Sequence, residues 1–348
     1  MKTKHKWRLR AAFALVLTAM LLAAVLPVGA AERTRIELYV GGIPFGVRFF
    51  TEGILVVGYC DVESGGGCHN PARAAGLSPG DCIYKINEET PHTAAELSAI
   101  LQKQRGEITV GYKREGEERE ATLTPLACDE DGKLRMGLFV RDSGAGIGTV
   151  TFVTEKGHTF AGLGHGICDG ESGTLIPLSR GSVMGVTIGS ITRGAVGAPG
   201  ELRGHFSAGK IGSLLGNTLC GVYGVLAELP QLPAGKCEIA YKDEVHEGAA
   251  TVWCTLDDNV CRPYDVQLSQ IHRAAEGNKC FTVKVTDKDL LARTGGIVQG
   301  MSGSPILQDG RLVGAITHVL IGDPTTGYGI FIENMLNAAQ SQEQSKAA

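Results

Sequence analysis

Gly300-Met301-Ser302-Gly303-Ser304-Pro305 reads as a serine held on a tight, glycine-lined loop. Glycine lets the backbone turn sharply and lets another group come close. It also leaves N–H groups free to face developing negative charge. A serine hydroxyl attacks poorly unless a neighbouring base removes its proton. Gly164-His165-Gly166 supplies an imidazole in an equally glycine-rich setting. Each candidate borders a hairpin. Thr149–Val153 and Thr159–Gly162 flank the turn Glu155-Lys156-Gly157, with His165 just beyond; Ser302 precedes Ile306-Leu307, Asp309-Gly310 and Leu312–Val319. Two β-barrels packed together would bring these residues into one cleft, histidine first in the chain and serine last.

The surrounding texture agrees. From about Cys128 onward glycine is frequent and short β-prone runs follow one another: Met136–Val140, Gly148–Thr154, Val183–Ile191, Val222–Leu226, Ala249–Thr255, Cys280–Val285 and Leu312–Val319. Many short strands with glycine turns argue for a sandwich or barrel. The absence of a fixed period argues against a solenoid or propeller. Long helical periodicity waits until Ile332–Gln340. The stretch Gly170–Lys279 carries no motif that assigns it a role.

Arg33–Leu126 reads as a separate small module with strands at Gly46–Phe50, Ile54–Tyr59, Cys82–Ile86, Ile108–Tyr112 and Glu118–Leu123. Thr93 and Glu96 form a capping box. Leu97, Ile100 and Leu101 share one face of the helix that follows, which should stop near Gly106. The segment Pro71-Ala72-Arg73-Ala74-Ala75-Gly76-Leu77-Ser78-Pro79-Gly80-Asp81-Cys82-Ile83, continued by Lys85-Ile86-Asn87, resembles the PDZ domains of bacterial proteases. That resemblance implies binding of an extended peptide beside a sheet edge. The expected ligand loop is Gly42, Ile43, Pro44, Phe45, Gly46 and Val47, with Thr93–Gln104 as the helical wall. The bland alternative is a small αβ module without a ligand, whose glycines serve turns alone. Asp61–Asn70, with Gly65, Gly66 and Gly67 in a row, reads as a surface loop.

At 348 residues the chain has room for about two domains. A net charge of −4 gives no reason to expect nucleic acid. Lys2, Lys4, Lys6, Arg8 and Arg10 precede the uncharged run Ala11–Val28 and the small residues Gly29-Ala30, the layout of a secretory signal. A retained membrane anchor fits the same residues. Either way, basic residues keep that end in the cytoplasm and the remainder is exported. Ten cysteines outside the cytosol permit disulfides, with Cys254 and Cys261 close enough in sequence to pair, and buried thiols fit equally well.

Thr294-Gly295-Gly296-Ile297-Val298-Gln299-Gly300-Met301-Ser302-Gly303-Ser304-Pro305-Ile306 is similar to the signature of the stage IV sporulation protein B (SpoIVB) peptidases. Arg141–Thr149, Gly162–Asp169, Thr317-His318-Val319 and Asp323–Gly329 match the same family. The hexapeptide also resembles the nucleophile loop of trypsin-like serine proteases. The resemblance implies a mainly β chain: a signal peptide or anchor over 1–32, a PDZ domain (α+β) over 33–127, and a trypsin-like double β-barrel peptidase domain over 128–348. It implies Ser302 as nucleophile, His165 as general base and Asp287 as the acid behind the imidazole, with Asp289 as rival; Asp142 and Asp169 remain candidates. By analogy with trypsin-like enzymes, the N–H groups of Gly300 and Ser302 form the oxyanion hole. The family role is sporulation signalling in the space between two membranes around the forespore. There the protease cleaves the extracytoplasmic part of a membrane-bound regulator, so that intramembrane proteolysis activates a sigma factor. Self-cleavage, governed by a PDZ domain that binds a peptide or the chain's own N-terminal segment, is part of the same expectation.

Other readings stay beside these. Ser304 could be the nucleophile, though Pro305 follows it. His318, in an apolar run, reads as structural. His165, Cys168 and Asp169 lack a second ligand pair at metal-site spacing, so neither metal nor cofactor is expected. An inert PDZ-bearing scaffold would keep the fold without the chemistry. An esterase of the α/β-hydrolase type would want glycine at position 304, where serine stands.

Overall fold

The computed structural model describes residues 35–156, 158–170 and 173–347, of which Glu37 onward forms one compact unit. The expected leader over 1–32 lies outside the described residues; among those described, no helix is long and apolar enough to cross a membrane. The chain is mainly β.

Two long strands organise everything else. After β1 (Glu37–Val40), β2 (Pro44–Tyr59) runs without a break through what the sequence presents as two separate strands. In its first half Phe45, Val47 and Phe49 point inward, alternating with exposed Arg48 and Phe50, and its second half is buried on both faces from Ile54 to Val56. The small module follows. The hairpin β3 (Val62–Ser64) and β4 (Gly67–His69) occupies the expected surface loop. Then come the one-turn helix α1 (Pro71–Ala74), β5 (Cys82–Ile86), α2 (Ala94–Lys103), β6 (Ile108–Arg114), β7 (Glu117–Leu123) and the short pair β8 (Leu126–Ala127) and β9 (Leu134–Arg135). Thr93 caps α2 by accepting from the Glu96 N–H at 3.1 Å. The Glu96 carboxylate reaches the N–H of His92 rather than that of Thr93, a capping box displaced by one residue. Ile54, Ile83, Leu97, Ile100 and Val110 form this module's own core.

The second long strand, β10 (Leu138–Val153), leaves the module beside β2 and stays paired with it from Leu138↔Tyr59 to Thr149↔Pro44. The pairing slips at Phe139/Val140 and at Arg141/Ser143, bulges that bend the strands where one core gives way to the next. Beyond the bend come β11 (Thr159–Gly162), β12 (Leu178–Thr192), β13 (Glu201–Thr218) and β14 (Gly221–Leu226). The order β2-β10-β11-β14-β13-β12 closes on itself, because β12 pairs back onto β2. Phe45, Val47, Phe49, Val150, Phe160, Val183 and Leu214 fill this first barrel. The small β15 (Lys236–Glu238) adds to β1 at its edge.

The second barrel is local in sequence: β16 (Gly248–Thr255), β17 (Cys261–Ser269), β18 (Phe281–Val285), β19 (Pro305–Gln308), β20 (Arg311–Leu320) and β21 (Asp323–Phe331), with α3 (Lys288–Thr294) between β18 and β19. Asp309 and Gly310, at φ of 51° and 75°, make the expected β19–β20 turn. The C-terminal α4 (Ile332–Ala347) buries Ile332 and Met335 against this core.

The division expected at 127/128 is therefore displaced. Residues 37–51 pair with strands of the first barrel and its edge, and the small module is inserted between the two strands of a barrel hairpin. The loop assigned to peptide binding moves with them. Gly42 donates to the Val150 carbonyl, Pro44–Val47 lie inside β2, and Phe45 and Val47 are barrel core. Ile43 likewise packs against that core. A Cβ on Gly46 would meet the Phe206 ring at 2.6 Å, so its glycine serves packing. The cysteines resolve as free thiols throughout. Cys254 faces Arg262 and Cys261 faces Thr255 across the β16–β17 ladder, so the expected pair sits diagonally.

Phe45→Ala tests this placement. As a core aromatic it should cost about 3–5 kcal/mol of global stability, read from urea unfolding of the whole chain; a residue of a ligand loop would leave the unfolding midpoint near its original value.

Candidate active site

His165 follows the short β11 through a turn that only unusual backbone makes possible. Leu163 and Gly164 both take positive φ, 66° and 67°. A Cβ at Gly166 would meet the Thr218 carbonyl at 2.7 Å. Asn217, a residue that no sequence signal singled out, pins the loop beyond. Its Oδ1 accepts from the Ile167 N–H at 2.8 Å, and its Nδ2 donates to the carbonyls of Ile167 and Ile176. The flanking glycines thus let the histidine approach the barrel seam, and the asparagine keeps it there.

Ser302 comes from the other barrel. The loop that carries it crosses to β10, where three groups hold it. The Thr149 hydroxyl donates to the Gly300 carbonyl at 2.8 Å, the Thr149 N–H donates to the Ser302 carbonyl at 3.0 Å, and the Thr151 hydroxyl donates to the Gly303 carbonyl at 2.7 Å. Both threonines are buried. The approach demands glycine at 303. Its φ is +92°, and a Cβ there would stand 2.1 Å from the Thr149 carbonyl oxygen and 2.4 Å from the Leu163 nitrogen. Gly300 also takes a positive φ, of 98°. Among the described residues, no acceptor takes the N–H of Gly300 or of Ser302.

His165, Ser302, Thr317 and His318 line one cavity of about 570 Å³ at the junction of the barrels, with Leu163, Ile297, Val298 and Val319 as its apolar walls. Arg141 also reaches it, and its charge is met by the buried Asp169 at 3.1 Å. His165 Nδ1 lies 2.8 Å from the Gly166 carbonyl. A carbonyl can only accept, so Nδ1 carries the proton and Nε2 keeps its lone pair. Burial holds the imidazole below its ordinary pKa, against a smaller upward pull from that carbonyl. The Ser302 hydroxyl donates to the Thr317 carbonyl at 2.7 Å, a bond it must leave before an imidazole can take its proton. Catalytic hydrogen bonds often tighten only when substrate is bound.

Ser302, His165 and Gly300 line one cavity, and Asp287 is not among its lining residues. Asp287 caps α3: its Oδ1 accepts from the Leu290 N–H at 2.9 Å and its Oδ2 from the Asp265 N–H at 3.4 Å. A capping role satisfies backbone donors at a helix start, and it leaves this carboxylate away from His165. Asp289 faces Arg293 at 3.6 Å, and Asp142 accepts from the Ala94 N–H at 2.8 Å at the start of α2. Ser304 is wholly buried in the second barrel's wall, and its hydroxyl has no partner. His318, expected to be structural, lies beside His165 with ring centroids 4.8 Å apart. Among the described residues no cluster of three or more His, Cys, Asp or Glu could hold a metal ion.

A second, smaller groove lies in the inserted module, about 150 Å³, between α2 (Ala94, Leu97, Ser98, Leu101) and the stretch from Leu134 to Val140. Gln102 ties helix to loop, donating to the Leu134 carbonyl and accepting from its N–H. The start of β10 pairs with β2 on one side, and its other edge faces the helix. This edge, and not Gly42–Val47, has the geometry for an added strand.

The family model described as SpoIVB peptidase S55 matches residues 132–336. Among solved structures, the PDZ domain of an SdrC-like protein from Listeria monocytogenes is 19% identical, covering 26% of this chain and 87% of its own, with a TM-score of 0.21. The HtrA-type protease AlgW with a decapeptide is 14% identical, covering 60% of this chain and 54% of its own, with a TM-score of 0.35. The active form of the Rv3671c protease from M. tuberculosis is 12% identical, covering 57% and 74%, with a TM-score of 0.33. Among curated proteins none matches the chain in sequence.

Three outcomes follow from the loop clamp and the imidazole. Thr151→Val leaves the Gly303 carbonyl buried without a donor, which should lower stability by about 1–3 kcal/mol in urea titration; Gly303→Ala should in addition remove reactivity at Ser302. Because burial holds His165 below its usual pKa, the pH–rate curve for reaction at Ser302 should have its acidic midpoint below the ordinary histidine value of about 6.5. A midpoint above 6.5 would contradict the buried, neutral imidazole.

Proposed function

The chain belongs to the SpoIVB peptidase S55 family and is a serine peptidase; from that premise we propose that Ser302 is its nucleophile and His165 its general base. One observation carries the assignment: the two side chains, one from each barrel, share a cavity with the unengaged N–H groups of Gly300 and Ser302. In the proposed reaction the Ser302 hydroxyl turns from the Thr317 carbonyl and attacks the scissile carbonyl carbon. Its proton passes to His165 Nε2. The oxyanion forms against the Gly300 and Ser302 N–H groups, where losing one donor typically costs about 10²–10³ in rate. His165 then gives its proton to the leaving amine, and water repeats the sequence on the acyl-enzyme. The Gly166 carbonyl fixes the tautomer that a carboxylate fixes in the usual triad.

The finer reading follows the family. We propose that the chain is exported through its basic and apolar N-terminal segment. There it cleaves the extracytoplasmic part of a membrane-bound regulator in sporulation signalling. It also cleaves itself under the control of a peptide seated in the groove of α2 and β10. The apolar walls and the neutralised Arg141 suit a protein substrate presenting uncharged side chains to the cavity.

Ser302→Ala should abolish cleavage of a casein-type substrate and of the chain itself while leaving the unfolding midpoint in place. Retained cleavage rejects Ser302. Absence of labelling of the folded native chain by a fluorophosphonate would favour the inert scaffold instead.

A further inference from the structure

The peptide unit between Gln299 and Gly300 has two orientations open to it, and the loop itself does not choose. Gly300 takes a φ of 98°, and glycine adopts either sign of φ about as readily. The choice matters, because the C=O and N–H of a trans peptide point in opposite directions. One orientation offers the Gly300 N–H to an oxyanion; the other puts the Gln299 carbonyl oxygen in its place. The first barrel supplies what decides. The long hairpin of β12 and β13 reaches past its own barrel, and its tip lies along the segment that leads to Ser302. The Gly194 N–H donates to the Thr294 carbonyl at 2.8 Å, and the Gly197 N–H to the Ile321 carbonyl at 2.9 Å. At the start of β13 the contact becomes a short parallel bridge. The Gln299 N–H donates to the Gly200 carbonyl at 2.8 Å, and the Gln299 carbonyl accepts from the Leu202 N–H at 2.8 Å. The Leu202 side chain is buried in the same core as Ile297, Val298 and Met301, and a Cβ on Gly300 would stand 3.0 Å from its Cβ. Gly200 has no room for a side chain: a Cβ there would meet the Thr192 carbonyl oxygen at 2.3 Å and the Val298 side chain at 2.7 Å.

Resting on the serine-peptidase reading, we propose that Leu202 is the positioning residue of the oxyanion hole: its N–H holds the Gln299 carbonyl, and the planar peptide then aims the Gly300 N–H away from the hairpin, to the side where Gly300 and Ser302 line the cavity. The bond is already made in the resting protein, so the donor is in place before charge develops. Without it the Gln299 carbonyl would be free to swing over, and its negative end would face the forming oxyanion. The next peptide unit is held separately, since the Gly300 carbonyl accepts from the Thr149 hydroxyl at 2.8 Å. Both peptide units that meet at Gly300 are therefore fixed from the first barrel, one by β10 and one by β13. This gives part of the Gly170–Lys279 stretch a task. The task is carried by main-chain groups, which leave no signature in side-chain pattern.

Fluorophosphonate labelling of the full chain, followed from pH 4 to 9, provides the test without a known substrate. Replacing Leu202 by its α-hydroxy acid, through suppression of a nonsense codon, exchanges the N–H for an ester oxygen and keeps the side chain. Labelling at the plateau should slow about 5–50-fold, short of the 10²–10³ that complete loss of an oxyanion donor costs. The acid-side midpoint, set by His165, should stay in place. An ester chain that labels at the native rate overturns the proposal. So does a fall accompanied by a shifted midpoint, which would place the effect at His165. Arg193→Gln removes another contact of the same hairpin, to the Leu291 carbonyl, and as a surface change should alter the rate less than about twofold; a fall equal to that of the ester would assign the effect to the hairpin as a whole and overturn the role of Leu202. Should the ester chain not fold, amide spectra of the native chain decide. Phosphonylating Ser302 should move the Gly300 amide proton downfield and slow hydrogen exchange at the Leu202 amide, because the two lie at opposite ends of one peptide unit. A Gly300 shift with no change at Leu202 overturns the proposal, as does an unmoved Gly300 amide. A native chain that does not label rejects the peptidase reading, and this inference with it; labelling that ignores the ester rejects the inference alone.

Discussion

The grip of β10 on the Gly300–Gly303 loop is the constraint on which the rest of the molecule depends. Three of the four carbonyls from Gly300 to Gly303, all but that of Met301, accept hydrogen bonds from Thr149 and Thr151. That contact requires glycine at 303, because no side chain fits between the two backbones. It also sets how the barrels meet. Once the loop is seated on β10, the Leu163–His165 turn that follows β11 is brought to the same seam, since β10 and β11 are paired neighbours. Ser302 and His165 are thus positioned by main-chain and threonine hydrogen bonds, each modest in net worth but decisive in geometry.

The tasks of the acid in the familiar triad are divisible. Orienting the ring and choosing the tautomer need only an acceptor at Nδ1, and a backbone carbonyl meets that need. Compensating the transient charge is a separate task. Here burial already keeps the resting imidazole neutral, and the groups close to it are a second imidazole and main-chain dipoles.

Much of this was legible in the residues, and the failures have physical causes. Glycines beside Ser302 and His165 announced close backbone approaches, and both hairpins fell where turn chemistry put them. Two of the errors share one origin: composition changes near residue 127, whereas hydrogen-bond pairing does not. Alternation of Phe45, Val47 and Phe49 marks a half-buried strand but does not say which core it faces, so Gly42–Val47 resembles a ligand loop in sequence and is barrel wall in the structure. Asp287 looked catalytic from its place in a family motif. Asp-x-x-Leu before an apolar turn is equally a helix cap, and only coordinates separate the two. His318 sits in an apolar strand, where pattern reading sees core. Asn217 carries no local signal, since its partners Ile167 and Ile176 are distant in sequence. The long strands β12 and β13 are glycine-rich and repeatedly bulged, which blurs the period of two.

The continuity of β2 and β10 gives the inserted module an unusual mechanical status. Proteins that join a recognition module to a barrel by a linker allow the two to swivel, and the linker absorbs the motion. Here the entering and leaving strands are laddered together up to the barrel wall, with Ser143 opposite Phe50 at the crossing. One two-stranded ribbon, bent at its two bulges, therefore runs from the α2 groove to Thr149, the residue that anchors the Ser302 loop.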